Sequence, residues 1–91
     1  VDMYLQELPA QLTTVEVALR SGDLIRVAEA THRAKGSAAN LGVQRLGWLF
    51  SQMEHAARRS DLTAARAMLS LVFTEAHTAT RILEEFEQAG G

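Results

Sequence analysis

Four runs of apolar residues, spaced alternately by three and four, fill this chain, and short turn signals separate them. The last run is the longest: Leu62, Ala65, Leu69, Val72, Ala76, Ala79, Leu83 and Phe86 follow one another without a break. That spacing lines up side chains along one stripe of an α-helix, and such a stripe must be buried against something. Leu5, Leu8, Leu12, Val15 and Leu19 form the first stripe, and Leu24, Val27, Thr31, Ala34, Ala38 and Leu41 the second. Leu46, Leu49, Met53 and Ala56 form the third, widened by Phe50 and Ala57, with Trp48 at its edge. The pattern predicts helices over residues 3–20, 24–41, 43–59 and 61–89. Pro9 lacks an N–H and crowds the preceding turn, yet Leu5 and Leu8 keep the register, so one kinked first helix is expected.

The turns fit the same scheme. Gly22 supplies a reversal, Asn40 and Gly42 tolerate a left-handed backbone, and Asp23 and Ser60-Asp61 can cap the helices that follow. Arg20-Ser-Gly-Asp-Leu24 and Arg59-Ser-Asp-Leu62 open two helices with the same capping chemistry. Helices joined by connections this short run up-down-up-down, and four stripes close one core. The expected fold is all-α, an antiparallel four-helix bundle, as a single domain over residues 1–91.

Composition narrows the function. The chain is 47% hydrophobic with five aromatic residues, and Leu, Ala and Val favour helices over a sheet. With no cysteine there is neither a disulfide nor a thiolate metal site, which fits the cytoplasm. A net charge of −2, with both signs interspersed, argues against nucleic acid as a partner. No apolar run approaches the ~18 residues of a membrane span, and no signal peptide is visible. A start at Val1 points to a piece excised from a larger protein.

His32 is the residue that asks for an explanation. It lies roughly 100° round the second helix from Thr31 of the buried stripe. Ala28 and Gly36, a turn away on either side, and Ala39 beyond are too small to cover the imidazole. Lys35 at i+3 brings a cation beside it. The string His32-x-x-Lys35-Gly36-Ser37-Ala38-x-Asn40-Leu41-Gly42 resembles the signature of histidine phosphotransfer (HPt) domains, four-helix modules that relay a phosphoryl group between receiver domains of response regulators. The Leu5-x-x-Leu8-Pro9 start, Gly22-Asp23-Leu24 and Arg59-Ser60-Asp61-Leu62 share the resemblance, which covers nearly the whole chain.

The resemblance implies that His32 is the phosphoacceptor. A neutral imidazole nitrogen is a good nucleophile near neutral pH, and its phosphorylated form stays reactive enough to pass the group on. Lys35 is expected to meet the phosphoryl oxygens as a point charge and to favour the neutral imidazole. Gly36 is expected to give the partner's loops clearance, and Ser37 either donates a hydrogen bond or is simply a small surface residue. An antiparallel third helix brings residues around Gln52 level with His32. Gln52, Glu54 and His55 are therefore candidates for hydrogen-bonding the imidazole or the phosphate. His55 and His77 lack paired ligands, so no metal site is expected. No phosphate-binding glycine loop, Walker motif or kinase motif is present, so the chain is not a self-sufficient kinase.

No cofactor is expected on this domain; Mg²⁺ and an acidic pocket are expected from the receiver. The expected molecule is a monomer. Its docking face should be formed by the second helix with the third or the first, apolar near the histidine and charged at the rim. The Ser-Ala-Ala-Asn-Leu-Gly wording fits best the C-terminal module of a hybrid sensor histidine kinase, at the cytoplasmic end of a membrane-bound sensor. The alternatives are the phosphoacceptor domain of a chemotaxis-type kinase and, from another class, a non-catalytic helical interaction module in which His32 is incidental.

Overall fold

A computed structural model describes residues 2–90 as five helices: α1 (Asp2–Ser21), α2 (Leu24–Asn40), α3 (Gln44–Arg58), α4 (Leu62–Ala67) and α5 (Leu69–Gly90). Chain neighbours pack against each other and α5 returns to α1, giving a bundle of 44 × 19 × 19 Å. Its core runs through all the stripes, from Leu8, Val15 and Leu19 to Val27, Ala34, Phe50, Met53 and Val72. Thr31 lies fully buried among them because its hydroxyl donates back to the Val27 carbonyl at 2.7 Å, which satisfies it without a tertiary partner.

Three turns share one backbone pattern. Gly22, Gly42 and Ser60 have φ of 72°, 72° and 61°, the left-handed conformation that ends a helix. In each, that residue's N–H reaches the carbonyl three back, and the next N–H reaches the carbonyl five back. Asp23 and Asp61 then cap the following helices, accepting from the N–H of Arg26 and Ala64. At the α2–α3 turn Val43 occupies the cap position and offers no side-chain acceptor.

The structure corrects the sequence reading of the last helix in two places. The stretch expected as one helix over 61–89 divides at Met68, whose N–H bonds to Ala65 three residues back, a tightened turn. On the α4 side of that turn, Arg66 donates to the Leu19 carbonyl at 2.8 and 3.0 Å, tying α4 to the end of α1. Phe86, placed on the buried stripe by its spacing, is 69% exposed. The α2–α3 turn sits beside Ala79, Ile82 and Leu83, so one helical turn further on too little of the bundle is left to cover a phenyl ring.

Candidate functional site

The α2–α3 hairpin brings the site together. Gly47 of α3 faces α2, where a Cβ would stand 3.6 Å from that of Ala38, so the two helices approach closely. Gly47, Ser51, Glu54 and Arg58 follow one another at three and four along α3. This line therefore looks at α2, and Glu54 on it reaches the level of His32.

Glu54 is a buried carboxylate, its side chain only 6% exposed, ringed by three basic groups. Oε2 accepts two hydrogen bonds from the Arg58 guanidinium, at 2.8 and 3.0 Å, and lies 3.2 Å from Nδ1 of His32. The Lys35 ammonium stands 3.2 Å from Oε1 as an ion pair, off the direction of a well-formed hydrogen bond. Burial pushes the Glu54 carboxyl up; the Arg58 hydrogen bonds and the charges of Lys35 and His32 outweigh it. The group is held below its ordinary value of 4.5 and is ionised at neutral pH.

His32 itself is 66% exposed. With Nδ1 turned towards Glu54, the far ring nitrogen, Nε2, is left to solvent. Nothing lies within 4 Å of where a Gly36 side chain would begin, so the backbone a turn beyond the imidazole is bare. The arrangement sets one ring nitrogen beside a carboxylate, leaves the other as a possible nucleophile, and keeps cations within reach of an incoming anion.

The structure does not bring every candidate here. Ser37 faces α1, where its hydroxyl accepts from Gln11 Nε2 at 3.1 Å. Gln52 is half-buried and makes no side-chain hydrogen bond among the described residues. It lies two residues, or about 200°, round α3 from Glu54 and so on the opposite flank. That is the side where Arg45 pairs with Glu75 of α5 at 2.7 Å. Arg58 went unnoticed as a site residue, although its place four residues after the one acid of α3 was a usable signal. His55 is exposed, and among the described residues no cluster of His, Asp and Glu could hold a metal ion.

Compared with known families, residues 1–89 match the model of the Hpt domain. The chain belongs to that family. Comparison with curated proteins and with solved structures gives no match. As an Hpt domain, the protein is a histidine phosphotransfer module of two-component phosphorelays, and its partners are receiver domains of response regulators. No helix among the described residues is long and apolar enough to cross a membrane.

Proposed function

We propose that His32 is the phosphoacceptor of this Hpt domain and that Glu54, Lys35 and Arg58 arrange it for transfer. The observation that carries this reading is the pairing of an exposed imidazole with a buried carboxylate through Nδ1. A neutral ring that keeps its proton on Nδ1, the nitrogen 3.2 Å from Glu54 Oε2, leaves the Nε2 lone pair free. Nε2 attacks the phosphorus of a receiver's phosphoaspartate; the N–P bond forms, the P–O bond breaks, and the aspartate leaves as a carboxylate. The ring becomes cationic without losing a proton, and the Glu54 carboxylate stabilises that charge. Transfer to a second aspartate is the same step reversed.

Lys35 turns from Glu54 to the phosphoryl oxygens as they arrive, while Arg58 keeps the carboxylate paired. Gly36 supports the reading by leaving the receiver's loops an open approach. Mg²⁺ and the acidic residues that bind it belong to the receiver. The domain acts as a monomer at the C-terminal, cytoplasmic end of a hybrid sensor kinase.

Incubation with a phosphorylated receiver domain and Mg²⁺ tests this. Label that is acid-labile and alkali-stable should accumulate on the wild type and be absent from His32→Gln. Equal labelling of the two proteins overturns it.

A further inference from the structure

Three cations surround Glu54, but they do not share it equally. Both hydrogen bonds from Arg58, Nε at 3.0 Å and Nη2 at 2.8 Å, end on one oxygen, Oε2. Nδ1 of His32 stands 3.2 Å from that same oxygen. A guanidinium that meets a carboxylate in the forked way puts one N–H on each oxygen. Here it takes one oxygen twice, and a carboxylate oxygen has about two lone pairs to give. Among the described residues, the hydrogen bonds that Glu54 accepts are those two, so the imidazole is left as an ion-pair neighbour. Oε1 is buried and accepts no hydrogen bond among the described residues, although the Lys35 ammonium is 3.2 Å away.

This unequal division bears on the reversibility of transfer. On uptake, Nε2 bonds to phosphorus, the P–O bond breaks, the receiver's aspartate leaves as a carboxylate, and the ring is left cationic with its proton on Nδ1. How strongly that cation is held depends on what Oε2 can still offer to Nδ1. A carboxylate oxygen hydrogen-bonded by the ring alone would hold the phosphorylated ring most tightly, and that bond would have to be given up on the return. A carrier takes and surrenders the same group, so an oxygen already committed to a guanidinium suits it better than a free one. Arg58 reaches Oε2 from four residues along the same helix, so its grip does not depend on how closely α2 approaches α3.

We infer that Arg58 is a positioning residue that competes with His32 for Oε2 of Glu54 and so weakens the hold of this domain on its phosphoryl group. This rests on His32 being the phosphoacceptor. Arg58 acts through the carboxylate and needs no contact with the phosphoryl group. When it is removed, Oε2 is free to accept from Nδ1, while Lys35 beside Oε1 remains to keep the carboxylate ionised.

The test measures the equilibrium constant for exchange with a phosphorylated receiver domain and Mg²⁺ in Arg58→Gln and Arg58→Lys, each alone and combined with Glu54→Gln. Arg58→Gln should shift the equilibrium towards the phosphorylated domain about tenfold, the weight of one charge-assisted hydrogen bond, mainly by slowing the return. Arg58→Lys keeps the charge but is a single point donor, and should lie between Arg58→Gln and the wild type. In the Glu54→Gln background both changes should have no effect. A second readout needs no receiver: in alkaline solution, where the ring is neutral, ¹⁵N NMR should find more of the His32 proton on Nδ1 in Arg58→Gln than in the wild type. An equilibrium that is unchanged or shifted towards the receiver, an equal shift without Glu54, or an unchanged tautomer overturns the competition. If Arg58→Gln does not fold, Arg58→Lys carries the same comparison. A wild type that takes no label from any receiver, or His32→Gln labelled as fully, sinks the phosphoacceptor reading instead, and the tautomer measurement still decides what Arg58 does to Glu54.

Discussion

Where α3 lies against α2, a Cβ on Gly47 would touch that of Ala38, whereas the last turns of α5 leave Ile82 and Phe86 facing solvent. The two regions also treat buried polar groups differently. Glu54 in the hairpin has three basic partners, while Tyr4 in the first turns of α1 is buried with its hydroxyl unpaired among the described residues, and burial pushes that hydroxyl up to about 12. The contrast has a mechanical reading. The distance from His32 to Glu54 is a distance between helices, so the orientation of the imidazole is only as fixed as the α2–α3 separation. Nothing in the proposed chemistry depends on how the tail of α5 packs.

That contrast breaks most visibly with two phenylalanines. Phe50 of α3 is fully buried and Phe86 of α5 is 69% exposed. Phe50→Ala should cost about 3–5 kcal/mol, through lost burial and the cavity left behind. Phe86→Ala should stay within about 0.5 kcal/mol of the wild type. Urea unfolding of both variants measures the difference. Comparable losses would mean that the end of α5 is as well packed as the hairpin.

Glu54→Gln comes next in size. It keeps the shape of the side chain but leaves the cations around it without a counter-charge, and should cost about 1–3 kcal/mol at pH 7. The sign with pH follows from the direction of the shift. Folding holds this carboxyl below its ordinary 4.5, so the fold favours the ionised form. Its stabilisation is fully present above about 4.5 and drains away as pH falls through the folded-state value. The gap between wild type and Glu54→Gln should therefore close in acid and be widest near neutrality. Thermal unfolding across that range checks it, and a gap that does not narrow as the pH is lowered would show that the charge of the carboxylate is not what stabilises.

The same contrast explains what could be read from the chain. Helix limits came within a residue or two wherever a turn carried its own chemistry, as at Gly22-Asp23, Gly42 and Ser60-Asp61. Met68 has no such mark: neither Gly nor Pro is near it, and the tightened turn lies beside a tertiary tie from Arg66 to α1. Phe86 has the right spacing for burial, but spacing cannot say how far the neighbouring helices extend. His32, Lys35 and Gly36 were legible because their relation lies within one helix. The α3 contribution lies between helices, and one residue of rotation is about 100°. That is why the sequence centred on Gln52, with Glu54 and His55 as further candidates, whereas the packing brings Glu54 beside His32.

The smallest expected effect separates fold from function inside the hairpin itself. Gly36 and Gly47 both sit within helices, where glycine costs about 1 kcal/mol relative to alanine. At Gly47 an added methyl would stand 3.6 Å from the Cβ of Ala38, an ordinary packing contact with α2. At Gly36 an added methyl meets nothing, and the fold alone gives no reason to do without it. Gly36→Ala should therefore raise stability by about 1 kcal/mol, roughly 4–8 °C in Tm for a domain of this size. Exchange with a receiver should slow, because the methyl stands one turn from the imidazole, where the partner's loops approach. A variant that is more stable and transfers as fast as the wild type would leave the bare backbone at Gly36 without a role in docking.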